Sequence, residues 1–321
     1  MSAARTLFLH CGWRTASTYL WSRVRASGQV VAYNEPFHET LARRTGASGG
    51  FARALRNHPD VPAFAEYDAL VENGAVRGYE TRFATRTFFL APEQDDAALE
   101  HYVRGLETHA RAQDKNAAFA FCRSLGRVAW LRQRFPDAWN VVLVRRPYDH
   151  WRSSLEQFAK GGVAYFLVMP LRIIAENRHV PELTRLAERH AIPDDHAAQI
   201  ALLQRLPADA VLRLFFEVYA LGYAHALTHA DQMIEIERFV DEAEYRDASI
   251  AEIARETGIQ ITPGEMNLTR YAPSGRDVFS ALDLDALTTL AASAGPVVRG
   301  EEAVTRYRAL LAEDSERVRA G

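Results

Sequence analysis

Hydrophobic positions along the chain fall into short blocks that switch between two periods. Thr6 to His10 is a brief apolar run ending at a turn that contains Gly12, and Ala16 to Val24 then carries helical spacing. The pattern predicts strand, loop, helix. Val30, Val31 and Tyr33 predict a second short strand, followed by the loop Asn34-Glu35-Pro36-Phe37-His38, where the proline disfavours helix at Glu35. Residues 41 to 75 mix Gly, Arg, Ala and Asp with weak periodicity and predict short helices and loops.

Further along, Ala117 to Cys122 predicts a buried strand and Leu125 to Phe135 a helix with Val128, Leu131 and Phe135 on one face. Asn140 to Val144 predicts another strand. A long helical pattern covers residues 198 to 230 with a break near Pro207, and Met233 to Glu237 alternates as a last strand would. Ser249 to Thr257 predicts a helix that Gly258 closes as a left-handed cap. Strands alternating with helices imply parallel pairing and crossovers. The expected fold is therefore α/β, a three-layer α/β/α arrangement with a mostly parallel central sheet and additional helices. No repeat, low-complexity tract or Gly/Ser/Pro-rich linker divides residues 1–321, so a single domain is expected.

Composition narrows the function classes. The 321 residues are 48% apolar and 25% charged, which suits a large buried core and excludes disorder and collagen-like repeats. A formal net charge of −3 gives no field drawing the whole protein to nucleic acid, so any anion site must be local. Cys11 and Cys122 both lie in apolar stretches and read as buried free thiols rather than a disulfide framework. Together with the shortness of the apolar run Leu7 to Leu9, this gives a cytoplasmic expectation. The longest apolar stretch, Val163 to Leu171, contains Pro170 and meets Arg172 at once, so no membrane span is expected there.

Two segments carry candidate chemistry. The first, Gly12-Trp13-Arg14-Thr15-Ala16-Ser17-Thr18, lies between a predicted strand and a predicted helix. Backbone N–H groups at a helix start, the hydroxyls of Thr15, Ser17 and Thr18, and the charge of Arg14 suit an anion there. The plainer alternative is that the Ser and Thr residues cap the helix. No lysine occupies the loop, so the nucleoside-triphosphate signature G-x-x-x-x-G-K-[ST] is absent. The second segment runs from Val142 to Ser154, where a buried strand delivers Arg145 and Arg146 at its end and Pro147 starts the next element. Arg145 can offer a planar fork to a phosphate, with Ser153 eight positions later donating from the same side. A surface Arg–Asp pair with a helix cap is the alternative.

Taken together, the two segments resemble the 5′-phosphosulfate loop and the 3′-phosphate motif of the sulfotransferases that use 3′-phosphoadenosine-5′-phosphosulfate. The resemblance covers residues 5 to 40 and 117 to 155, and is faint over 200 to 260. It implies a P-loop-like nucleotide-binding fold in which Arg14, Thr15, Ala16, Ser17 and Thr18 hold the 5′-phosphosulfate and Arg145 and Ser153 the 3′-phosphate. Many members have lysine in place of Arg14 and glycine in place of Ala16. The resemblance also implies in-line sulfuryl transfer to a small-molecule or carbohydrate hydroxyl or amine, with 3′,5′-adenosine bisphosphate as product and no metal. Glu35 matches the place of a glutamate base in related enzymes, and His38 is the second candidate. Arg123 and Arg127 stand where they could line the nucleotide site, and residues 270–276 where a closing loop is found. A nucleotide or small-molecule kinase, and a nucleotide-binding homologue without turnover, are the competing readings.

Three further groups read as structural. His225 and His229, four apart with Asp231 nearby, lack the H-E-x-x-H metal signature and fit an ordinary helical pair. Phe215, Phe216, Tyr219 and Tyr223, and Trp130, Trp139 and Trp151, fit the core rather than a stacking platform for bases. The sequence carries no label for oligomeric state.

Overall fold

A computed structural model describes residues 5–43, 62–162, 164–266, 268–272 and 301–320. Five strands form one sheet in the order β2 (Val30–Asn34), β5 (Asn116–Phe121), β1 (Leu7–Cys11), β6 (Trp139–Val144) and β7 (Gln232–Glu235), and every pairing in it is parallel. Leu7 to Cys11 form one continuous buried run because β1 is central and covered on both faces. A second, antiparallel pair joins β3 (Val71–Glu72) to β4 (Ala75–Val76).

Helices cover the sheet. α1 (Ser17–Ala26) packs on β2 and β5, and α3 (Ala97–Arg111) on β5. On β6 lie α9 (Ala208–His229) and α11 (Ala243–Thr257), completing an α/β fold consistent with three α/β/α layers. Between them come α2 (Arg82–Thr85), α4 (Val128–Arg134), α5 (Pro147–Gly161), α6 (Tyr165–Glu176), α7 (Pro181–Arg189), α8 (His196–Arg205) and α10 (Ile236–Asp241). A final helix, α12 (Glu301–Ala320), packs on α9 and α5. By length and mean hydropathy α9 could cross a membrane, and most of it is buried within the fold.

Topology fixes where a ligand can approach. The chain leaves β1 through α1 towards one edge, while the connection from β5 through α4 to β6 passes β1 towards the other. Strand order therefore reverses at β1. In open parallel sheets the crevice at such a reversal, outside the strand carboxyl ends, is where ligands bind.

Several expectations shift in detail. The break between α8 and α9 falls at Leu206 and Pro207, as the sequence predicts, and Gly258 has φ 77° as a left-handed cap. The last strand stops at Glu235 instead of reaching Glu237, because Ile236 and Glu237 begin α10. The apparent alternation there misleads, since Glu235 and Glu237 are themselves buried against arginines. In the 41–75 stretch only residues 41–43 and 62–75 are described, as 3-10 turns (Glu39–Arg43, Ala65–Leu70) and the β3–β4 hairpin, and 44–61 lie outside the described residues. Val163 also lies outside them, and the rest of the 163–171 apolar stretch forms part of α6.

Candidate functional site

The loop from Gly12 to Ala16 leaves β1 at the reversal point. Gly12 is there because nothing larger fits: a Cβ would sit 2.6 Å from the Tyr219 ring and 3.0 Å from His150. Its N–H donates to the Tyr223 hydroxyl (3.2 Å), which in turn donates to the Leu143 carbonyl (3.3 Å). Arg14 and Ala16 both take left-handed backbone conformations, φ 65° and 60°, which side chains disfavour by about 1–2 kcal/mol each. This twist leads the chain from the end of β1 into the start of α1. Among the described residues no side chain caps that helix, so the capping alternative for Thr15, Ser17 and Thr18 does not describe it.

The hydroxyls have other duties. Thr15 is fully buried and donates to the Gly12 carbonyl (2.7 Å), holding the turn. The Ser17 hydroxyl lies 3.4 Å from the Cys122 sulfur. Thr18 is half-buried in the first turn of α1.

Arg145 leaves the carboxyl end of β6 and reaches this loop. It is buried, donates to the Arg14 carbonyl (2.8 Å) and the Thr269 carbonyl (2.6 Å), and lies 3.8 Å from the Glu237 carboxylate. Arg14 in turn donates from Nε to the Ser153 hydroxyl (3.1 Å) and places its guanidinium over the Phe166 ring. Burial, reinforced by Arg145, lowers the pKa of Arg14, and burial also lowers that of Arg145 despite Glu237. Two guanidinium groups crowded out of water in this way are an electrostatic cost that an anion would relieve. Glu237 is itself raised to about 6 by burial.

The start of α5 is closed to ligands. Asp314 of α12 accepts from the Tyr148 N–H (2.9 Å), and Glu237 accepts from the Arg146 N–H (3.0 Å). Residues 268–272 cross beside it: the Tyr271 N–H donates to Asp149 (2.9 Å), its hydroxyl to Glu156 (2.6 Å), and the Tyr148 hydroxyl to the Ala272 carbonyl (3.2 Å). Arg270 pairs with Asp241 (2.7 Å), while 273–276 of the expected closing loop lie outside the described residues.

An acidic group stands on the other side of the loop. Glu35 follows β2 with φ 42°, and its N–H donates to the Ala120 carbonyl (2.8 Å), continuing the ladder with β5. Arg123, at the end of β5 and 1% exposed, donates to the Glu35 carboxylate, the Tyr165 hydroxyl and, at 2.9 Å, Glu39. Tyr165 donates to Glu39 (3.1 Å). Burial alone would raise Glu39, but Arg123 and His38 beside it hold its pKa at about 2. The Arg123 guanidinium lies over the Trp13 ring at 5.2 Å, and Trp13 meets the Tyr165 ring edge-on at 6.3 Å. Trp13 thus joins the acidic group to the loop after β1.

His38 lies in the same group. Its Nδ1 accepts from the Thr40 N–H (3.2 Å) and is 3.7 Å from Glu39. Burial and then Arg123 push its pKa down. The Thr40 N–H thus engages the Nδ1 lone pair, an arrangement that goes with a proton on Nε2 in the neutral ring.

Arg127 is a core residue and not part of the crevice. It is buried over the Phe37 ring, donates to Thr87 (2.9 Å) and the Phe83 carbonyl (2.9 Å), and burial lowers its pKa to about 9. His225 packs against Phe89, and Asp231 pairs with Arg132 (2.6 Å) instead of turning to the histidines. Phe215, Phe216, Tyr219, Tyr223, Trp130 and Trp151 are core, whereas Trp139 is half-buried under Arg5. Sequence reasoning passed over Glu39, Tyr165, Glu237 and Asp314. Glu39 alone carried a signal, as an acid four positions after Glu35.

Family models, curated proteins and solved structures yield no match to the chain.

Proposed function

We propose that the protein moves a sulfuryl group from 3′-phosphoadenosine-5′-phosphosulfate to a hydroxyl or amine of a small-molecule or carbohydrate acceptor. The observation that carries this reading is the meeting of two segments far apart in sequence. Arg145 donates to the Arg14 carbonyl and Arg14 to the Ser153 hydroxyl, at the carboxyl ends of β1 and β6, beside an uncapped helix start. One backbone-lined anion seat and one arginine–serine seat side by side suit a ligand with phosphates at two positions. The missing loop lysine speaks against a triphosphate.

In this reading the fold is P-loop-like and the acceptor oxygen or nitrogen attacks sulfur in line. The bond between sulfur and the bridging oxygen of the 5′-phosphate breaks, and the electron pair leaves with the bisphosphate. Loop N–H groups and Arg14 would stabilise the charge that builds on the leaving oxygen. Glu35, with its carboxylate oriented by Arg123, would take the acceptor's proton. Of the two base candidates the Nδ1 contact of His38 favours Glu35.

Calorimetric titration with 3′,5′-adenosine bisphosphate tests this without an acceptor. Binding that needs no magnesium, exceeds that of ATP and is lost in Arg145→Ala supports the reading. No binding, or a preference for magnesium–ATP, overturns it, the latter in favour of a kinase.

A further inference from the structure

Cys11 and Cys122 sit at the root of the two elements just described, one residue before Gly12 and one before Arg123. The β1–β5 ladder pairs His10 with Phe121, so one step further sets Cys11 opposite Cys122, with both side chains on the same face. Their sulfurs are 3.5 Å apart, and both thiols are free and buried. Neighbouring strands run about 4.8 Å apart, inside the roughly 4.4–6.8 Å that a disulfide requires between Cα atoms. Only the sulfurs must close in, to about 2.05 Å.

The two residues differ in freedom. Cys11 is clamped in β1, paired on its other side with Leu143, and is 0% exposed. Cys122 lies beyond the last residue of β5 and is 5% exposed, so its backbone can shift without breaking the ladder. Its sulfur touches the Ser17 hydroxyl (3.4 Å), at the first residue of α1.

We infer that Cys11 and Cys122 form a reversible disulfide under a small hydroperoxide, and that this bond weakens anion binding at the adjacent loop. The peroxide oxygen is reduced and Cys122 oxidised: Cys122–SH and H₂O₂ give Cys122–SOH and water. The Cys11 sulfur then attacks the sulfenic sulfur, water leaves with the thiol proton, and the S–S bond forms. The resolving thiol is already in contact, so the sulfenic acid is captured before further oxidation. The hydrogen bond that the Cys122 thiol donates to the Cys11 sulfur, then burial, raises the Cys122 pKa well above normal, which makes the first step slow, and the burial bars bulky oxidants. Closing the bond draws Cys122 away from Ser17 and tugs on Arg123, which holds Glu35 and Glu39.

The test is peptide mapping under non-reducing conditions after treatment of the whole protein with hydrogen peroxide. The expected result is a linked Cys11–Cys122 peptide pair that dithiothreitol separates, and that neither Cys11→Ser nor Cys122→Ser forms. Unlinked peptides, whether still thiols or both oxidised to sulfinic acids, overturn the inference. In parallel, the shift of the Cys122 and Arg123 backbone is expected to weaken binding of 3′,5′-adenosine bisphosphate by about tenfold in the oxidised protein, the size of one charge-assisted hydrogen bond. Affinity unchanged by a mapped disulfide overturns the coupling to the loop. A reduced protein that binds no bisphosphate fails the function proposed above and not this inference, because the map reads the bond directly.

Discussion

Arg14 and Ser153 are 139 residues apart, yet the Arg14 Nε donates to the Ser153 hydroxyl across 3.1 Å. That contact ties the loop after β1 to the second turn of α5 and makes one cluster of two segments. Removing the Ser153 hydroxyl frees Arg14 from this contact. Ser153→Ala is therefore expected to weaken bisphosphate binding by about tenfold, roughly one lost hydrogen bond to a charged group, as read by calorimetry. An unchanged affinity would remove Ser153 from the seat.

Ala16 stands at φ 60°, where glycine carries no penalty. Relief of about 1–2 kcal/mol of left-handed strain outweighs the roughly 0.4–1 kcal/mol of extra unfolded-state entropy, so Ala16→Gly should stabilise the protein by up to about 1 kcal/mol. Gly12→Ala should do the reverse, costing about 1–3 kcal/mol as Tyr219 and His150 are pushed aside. Urea unfolding midpoints of the two variants are the measurement.

Arg123 neutralises two carboxylates that keep some contact with water, Glu35 and Glu39. Arg123→Gln should destabilise by about 2–4 kcal/mol, less than for a fully dry pair because both carboxylates can rehydrate. Glu39→Gln added to that variant should recover part of the loss in urea melts. No recovery would place the cost in the packing of Arg123 on Trp13 instead.

Stability should fall when pH drops below about 6.5. Burial holds His10 at about 4, His150 at about 3 and His225 at about 4, against an ordinary value of 6.5. Between those values the unfolded chain binds protons that the folded protein refuses. Their contribution is thus complete above pH 6.5 and is lost as pH falls towards 4. Glu237, raised to about 6, acts in the opposite sense, losing its contribution as pH rises from its ordinary 4.5, and offsets one proton of this trend. Denaturation midpoints measured from pH 7 to 5 should decline, and a flat profile would contradict the histidine burial.

If Glu35 takes the acceptor's proton, Glu35→Gln should leave bisphosphate binding intact while lowering transfer by about 10²–10⁴-fold. A panel of phenolic and carbohydrate acceptors with sulfated product detected by mass gives the readout. Equal loss in His38→Gln alone would move the role to His38.

Local order in the sequence determined the strands at 7–11, 30–34, 116–121 and 139–144, because buried parallel strands need uninterrupted apolar runs. It also marked Arg14, Arg145 and Ser153, since each follows such a run at a strand end or sits just inside the next helix, while Glu35 was marked by the resemblance. Tertiary structure alone decided what those residues meet. Arg145 turns to the Arg14 carbonyl and not to a surface acid, and Arg123 claims Glu35 and Glu39 for itself. Asp314, from a helix more than 160 residues downstream, closes the start of α5. None of these pairings has a sequence period, because each is set by which strands lie side by side. The order β2-β5-β1-β6-β7 brings β1, β5 and β6 together at their carboxyl ends, and the cluster of Arg14, Arg145 and Ser153 exists only once that order forms.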